Sequence, residues 1–160
     1  MQVKTVKYEW FQDYKKPSMF VAFPLCNFKC ERECGDRVCQ NSTLVKAPNV
    51  RVIDFELIDQ YFENPITKAI VCGGLEPMDS FEEIVHLIDK LRARGCDDDV
   101  VIYTGYTEEE CSKARWLHVL SGYKNIIIKF GRFVPNQKPH YDPVLGVNLA
   151  SDNQYGKVIS

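Results

Sequence analysis

The sequence has no long apolar stretch. Its longest apolar runs are about five residues, whereas a membrane-spanning helix needs roughly twenty. It also lacks a run of basic residues, and its 20 Lys and Arg residues are slightly outnumbered by 22 Asp and Glu residues. A weakly acidic chain of this kind is a poor candidate for a nucleic-acid binder. Residues 1–16 contain no apolar signal core, so we expect a cytoplasmic protein rather than an exported one.

Internal repeats, low-complexity segments and linkers are absent as well, which predicts a single domain over residues 1–160. Apolar residues make up 45% of the chain, and this proportion excludes a disordered protein. A complete eight-unit β/α barrel needs roughly 250 residues. A chain of 160 residues can therefore form at most part of such a barrel.

Strands and helices are predicted to alternate along the chain. Apolar segments predict four strands, at residues 18–24, 67–72, 99–104 and 125–130. Apolar residues at helical spacing and capping signals predict three helices, at residues 54–63, 80–94 and 108–120. The capping signals are Asp54 as an N-cap, Ser80 with Glu83, Thr107 with Glu110, and Gly95 at a helix end. This order implies parallel strands whose carboxyl ends meet at one edge of the sheet, where ligands bind.

Cysteine is the residue that the sequence has in excess. Four of the seven cysteines fall within fourteen residues, as Cys26, Cys30, Cys34 and Cys39. A disulfide framework needs an oxidising compartment, for which the chain has no signal, so the cluster indicates metal binding or redox chemistry. Only three residues separate Cys30 from Cys34, which leaves little loop for a zinc knuckle and favours an iron–sulfur cluster. Zinc and a reduced structural cluster are the alternatives at this point.

The cysteine loop resembles that of the radical S-adenosylmethionine superfamily, because Cys26-Asn-Phe-Lys-Cys30 has its C-x3-C spacing. Either Cys34 or Cys39 is then the third ligand. Cys39 is favoured because Val38 supplies the apolar neighbour and Cys39-Gln-Asn41 resembles the C-x-N of small activating enzymes. The resemblance implies that Cys26, Cys30 and Cys39 hold a [4Fe–4S] cluster, with Cys34 inside an insertion.

The second predicted strand runs into Gly73-Gly74-Leu75-Glu76-Pro77. Two glycines let the backbone approach a ligand closely, and a carboxylate beside them can pair with an ammonium group. By itself the stretch is also typical of a plain strand-to-helix turn. It is similar to the superfamily's Gly-Gly-Glu-Pro motif with Leu75 inserted. The resemblance therefore implies that Gly73, Gly74 and Glu76 bind the amino group of S-adenosyl-L-methionine.

The third predicted strand ends in Tyr103-Thr104-Gly105-Tyr106, where Tyr103 and Thr104 are candidates for contacts to a cofactor ribose. With Gly131-Arg132-Phe133 and the segment 149–154, this run resembles the activating proteins of anaerobic ribonucleoside-triphosphate reductases. In many members an acidic residue precedes the Gly-Arg-Phe, whereas this sequence has Phe130 at that position.

This family resemblance implies a shortened, open, barrel-like β/α sheet and an anaerobic oxidoreductase. Such an enzyme generates a 5′-deoxyadenosyl radical and installs a glycyl radical on a partner, here anaerobic ribonucleotide reductase. A flavodoxin or ferredoxin would be the electron donor, and no catalytic residue is expected beyond the cluster ligands. The alternatives are an enzyme of the same superfamily acting on a small molecule, like 7-carboxy-7-deazaguanine synthase, and a zinc-stabilised interaction module without enzymatic activity.

Overall fold

The computed structural model describes all of residues 1–160. It contains ten strands: β1 (Gln2–Val3), β2 (Thr5–Trp10), β3 (Ser18–Phe23), β4 (Val50–Arg51), β5 (Ala69–Gly74), β6 (Asp99–Tyr103), β7 (Ile126–Phe130), β8 (His140–Asp142), β9 (Val147–Leu149) and β10 (Tyr155–Val158). Its six helices are α1 (Lys29–Cys34), α2 (Ser42–Lys46), α3 (Asp54–Glu63), α4 (Phe81–Ala93), α5 (Glu108–Lys113) and α6 (Trp116–Leu120).

The central sheet has six strands in the order β10-β7-β6-β5-β3-β2. Strands β3, β5, β6 and β7 are parallel, and β2 and β10 pair antiparallel at the two edges. The predicted mixed α/β domain with a mainly parallel sheet is therefore confirmed. The four predicted strands are the four parallel ones, although β5 lies two residues later than predicted. None of the helices has the length and apolar character that crossing a membrane requires.

Helices α3 to α6 pack on one face of the sheet, because each presents one apolar stripe to it. In α4 the stripe is Ile84, Leu87, Ile88 and Leu91, which lie against alternate residues of the strands such as Ile70 and Ile102. The opposite face carries a smaller apolar cluster, formed by residues such as Val71 and Val101 together with Leu145 and Leu149. Since both faces are covered, the parallel strands read as continuous apolar runs.

The helix starts differ in part from the predictions. The capping box of Thr107 and Glu110 is confirmed, since the side chain of each accepts a hydrogen bond from the backbone N–H of the other. Ser80 makes no such bond, because a 3₁₀ turn over Pro77–Ser80 already precedes α4. Asp54 is the first helical residue rather than the N-cap, and its carboxylate pairs with the N-terminal ammonium at 2.6 Å.

The predicted extent of one helix is also wrong. The helix predicted over residues 108–120 breaks into α5 and α6 at Arg115, whose φ of 64° is left-handed. Outside the predicted elements, β8 pairs with β9 as an antiparallel hairpin over residues 140–149. Gly95 does end α4 with a φ of +75°, as predicted.

Candidate functional site

The carboxyl ends of the four parallel strands border one cavity of about 670 Å³. The structure brings all eight predicted site residues to its wall: Cys26, Cys30, Cys39, Gly73, Gly74, Glu76, Tyr103 and Thr104. Cys34 does not line the cavity, and its side chain is exposed. A cavity of this volume lies in the range of small-molecule and cofactor sites.

The cysteine loop begins directly after β3. The backbone of Phe28 takes a left-handed φ of 54°, and its N–H donates to Cys26 Sγ at 3.2 Å. This turn starts α1, so that Cys30 lies in its first turn and Cys34 is its last residue. Gly35 then ends the helix with a φ of 71°. Cys30 and Cys34 therefore stand one helical turn apart, and only Cys30 is at the cavity wall.

The thiols of Cys26, Cys30 and Cys39 are partly buried and influence one another. Burial raises the pKa of Cys26 to about 11, and the neighbouring Cys30 thiol adds to the increase. Burial also raises the pKa of Cys30, with Cys39 adding to it. No three Cys, His, Asp or Glu side chains are already gathered into a metal-ligand set. The donor chemistry nevertheless fits an iron–sulfur cluster, because thiols of one short loop are the ligands that such clusters use.

Two polar connections fix the start of the loop to the rest of the site. The backbone N–H of Asn27 donates to the Asp79 carboxylate at 2.8 Å. Tyr106 donates its hydroxyl to the same carboxylate at 2.7 Å and accepts from the Asn27 amide. The residue after Cys26 is thus held by the turns that follow both β5 and β6.

Charged residues hold the α1 segment of the loop. The Glu110 carboxylate accepts from Arg132 at 2.7 Å and from Lys29, the residue before Cys30. Arg132 also lies 3.3 Å from the carboxylate of Glu33 in α1. Burial alone would raise the pKa of Glu110, but hydrogen bonds from Lys29, the Thr107 backbone and Arg132 lower it to about 2. This ion network joins α1, α5 and the end of β7.

The end of the cysteine loop is tied to the glycine loop. The side-chain amide of Asn41 donates to the Gly74 carbonyl at 2.6 Å. Gly74 has a φ of +92°, and a Cβ there would lie 2.8 Å from the Ala22 backbone. A Cβ on Gly73 would lie 2.6 Å from the Phe20 ring. Gly74 is therefore required, because the backbone of β3 approaches too closely for a side chain, whereas a side chain at Gly73 would require the Phe20 ring to shift.

Glu76 is a buried carboxylate with three donors. Its Oε1 accepts from the Met78 backbone at 3.1 Å and from the Thr104 hydroxyl at 2.7 Å, and its Oε2 accepts from the Gly105 backbone at 2.8 Å. Burial raises its pKa to about 7 despite these bonds. Because a carboxylate oxygen accepts about two hydrogen bonds, Oε2 keeps one position for a ligand donor.

The two predicted ribose contacts already have protein partners. The Thr104 hydroxyl donates to Glu76 and accepts from the Tyr106 backbone at 3.0 Å. The Tyr103 hydroxyl donates to the Asp13 carbonyl at 2.5 Å. In this arrangement Thr104 positions Glu76, and Tyr103 contributes a ring to the cavity wall.

Residues after β7 complete the wall. The Gln154 amide donates to the Gly131 carbonyl at 3.2 Å, and the Asn153 amide donates to the Arg132 carbonyl at 2.9 Å. These bonds hold Gly131 and Arg132 against Asn153 and Gln154 at the end of the segment 149–154. Lys129, which no sequence motif singled out, also lines the cavity. Its signal was a lysine inside an otherwise apolar strand.

Comparisons with known proteins agree with the cysteine chemistry. Neither the curated proteins nor the solved structures include a match to the chain. Residues 18–154 match the family model described as a 4Fe-4S single cluster domain, a segment that runs from β3 to the residue before β10. This match covers most of the sequence and includes all eight site residues that the sequence predicted. The chain therefore belongs to the 4Fe-4S single cluster domain family.

Proposed function

We propose that the chain is a radical S-adenosylmethionine enzyme that installs a glycyl radical on a partner protein. The observation that carries this proposal is the meeting of three loop cysteines with the Gly73–Glu76 turn at one cavity. When bound, a reduced [4Fe–4S] cluster supplies the electron that cleaves S-adenosylmethionine into methionine and a 5′-deoxyadenosyl radical. A purely structural cluster would need neither the cavity nor the buried carboxylate beside it.

The residues of this chain hold and orient the reactants. Cys26, Cys30 and Cys39 would provide the three thiolates, and Glu76 would accept a hydrogen bond from the ligand ammonium through Oε2. The Gly74 backbone comes close to the cysteine loop through Asn41, so the turn and the loop are positioned together. The partly buried walls keep water from the reacting groups, which is the protein's main contribution when the cofactor carries the chemistry.

The stretches that resemble activating proteins of anaerobic ribonucleotide reductases support a protein substrate. Tyr106, Arg132 and Gln154 come from three such stretches, and all line the same cavity. A glycine of a partner enzyme, presented on a loop, would then be the hydrogen donor, with a flavodoxin or ferredoxin as electron source. We further propose that the six-stranded sheet is an open part of a β/α barrel and that the open side of the cavity at its strand ends faces this partner.

Anaerobic reconstitution followed by metal analysis is the first test. About four irons per chain are expected, whereas about one zinc per chain would support the interaction module instead. The reduced protein should then convert S-adenosylmethionine into methionine and 5′-deoxyadenosine, and Cys26→Ala should not. Absence of 5′-deoxyadenosine from a fully loaded protein would contradict the enzymatic function.

The partner is tested by electron paramagnetic resonance. Incubation with an anaerobic ribonucleotide reductase should produce the doublet of a glycyl radical, split by the remaining α-hydrogen. The unloaded protein with the same partner is the control. Formation of 5′-deoxyadenosine without any radical on candidate glycyl enzymes would instead favour a small-molecule substrate.

A further inference from the structure

Lys129 is a buried cation at the floor of the cavity. It lies in β7, which β6 separates from β5 and the turn that carries Glu76, and only 7% of its surface is exposed. Its Nζ donates to the Gly131 carbonyl at 2.7 Å and to the Thr104 carbonyl at 3.4 Å. Because an ammonium has three N–H donors, one donor is left without a protein acceptor.

No carboxylate lies within ion-pair distance of this ammonium group. Of the other cations of the cavity wall, Lys29 and Arg132 pair with Glu110, and Lys7 is exposed to solvent. Lys129 takes part in none of the ion pairs of the structure, and its nearest aromatic neighbour is the Tyr103 ring, 5.8 Å from Nζ. A buried charge without a counter-ion is costly to the fold. A ligand anion in the cavity would remove that cost.

The acidic group of the cavity wall is Glu76, and its carboxylate is already hydrogen-bonded within the protein. Glu76 interacts electrostatically with Lys129, although its carboxylate is held by the Met78 and Gly105 backbones and by the Thr104 hydroxyl. The cavity therefore presents an acidic group and a basic group at two strand ends that only β6 separates. That pair of charges is complementary to a zwitterion, which carries an ammonium and a carboxylate a few bonds apart.

We propose that Lys129 binds the carboxylate of a ligand in this cavity. The carboxylate has two possible sources, the amino-acid end of S-adenosylmethionine or a separate carboxylic acid substrate. The first source rests on the proposed function and the second does not. In both cases the remaining N–H of Lys129 would hold the carboxylate at the end of β7, while Glu76 takes the ammonium end of a zwitterion.

The first arm of the test deletes the carboxylate from the ligand instead of altering the protein. Calorimetric binding to the full-length protein compares S-adenosylmethionine with its decarboxylated analogue. Wild-type protein should prefer the intact compound at least about tenfold, and Lys129→Met should bind both compounds equally. Lys7→Met, which removes an exposed lysine of the same cavity wall, should keep the wild-type preference.

The second arm identifies the other source. The melting temperature of wild-type protein and of Lys129→Met is measured in sodium acetate and in sodium chloride at equal ionic strength. Suppose that acetate raises the melting temperature of the wild-type protein only, and that the first arm shows no preference for intact S-adenosylmethionine. Lys129 is then assigned to a separate carboxylic acid. No preference in the first arm and no acetate effect in the second overturns the proposal. If S-adenosylmethionine does not bind at all, the proposed function fails, and the acetate arm alone decides the role of Lys129.

Discussion

Removing the charge of Glu110 should loosen the cysteine loop without unfolding the protein. Glu110→Gln keeps the side-chain acceptor of the capping box, because glutamine serves that position as well as glutamate. It loses the attraction to Lys29 and Arg132, whose side chains are only 35% and 11% exposed. Fully exposed pairs contribute about 0.2–1 kcal/mol and buried charged hydrogen bonds about 1.5–3 kcal/mol. For two partly buried contacts we expect a loss of about 2 kcal/mol.

A loss of about 2 kcal/mol raises the equilibrium constant for loop opening roughly 30-fold. Release of iron from the reconstituted protein to a chelator, measured anaerobically, should accelerate by a similar factor. Glu108→Gln is the matched control, because Glu108 is also in the first turn of α5 and pairs with Lys157 at 2.6 Å, away from the cysteine loop. Equal iron release from Glu108→Gln and Glu110→Gln would refute the reasoning. Denaturant unfolding of the iron-free variants separates global destabilisation from loop opening.

Three other perturbations give distinct outcomes. Substitution of any one of the three cavity cysteines by Ala should abolish the cluster absorbance, whereas Cys34→Ala should keep it; the cavity cysteines are Cys26, Cys30 and Cys39. Loss of the absorbance in Cys34→Ala together with its retention in Cys39→Ala would reassign the third ligand to Cys34. Burial raises the pKa of Glu76 to about 7, so its charge is lost as the pH falls below that value. The affinity for S-adenosylmethionine should therefore drop up to about tenfold per pH unit below 7. In the same titration, Glu76→Gln should bind weakly and without this pH dependence. Gly74→Ala should lower the free energy of unfolding by more than about 2 kcal/mol, because a left-handed φ and a backbone clash combine; Gly95→Ala, which meets no atom within 4 Å, should cost about 1 kcal/mol in the same denaturant experiment.

The parallel strands and the cavity residues were predictable because their signals are local. Each parallel strand is a buried apolar run, and each is followed by residues that need special backbone or polar chemistry, such as Gly73 and Gly74. Parallel topology then places those residues together without any further information. The placement of Cys39 rather than Cys34 at the cavity wall agrees with the preference drawn from Val38, although the ligand assignment itself stays a prediction.

The features that escaped prediction depend on long-range contacts. Strand β2 has mostly exposed or half-exposed residues, so it shows no apolar run and exists because β3 pairs with it. Helix α1 buries no residue and is held by Lys29 and Glu33 through their ion pairs with distant residues. Lys129 is a single charge in an apolar strand, and nothing local in the sequence indicates that its side chain meets a cavity rather than solvent.

The hydrogen bond from Asn41 to the Gly74 carbonyl has a thermodynamic consequence. It joins the last part of the cysteine loop to the glycine turn. A ligand that orders one of these segments therefore lowers the entropy cost of ordering the other. Binding equilibria that are coupled in this way are reciprocal. If the chain has the proposed function, any factor by which a loaded cluster raises the affinity for S-adenosylmethionine must equal the factor by which S-adenosylmethionine tightens retention of the cluster. Asn41→Ala should then reduce both factors together.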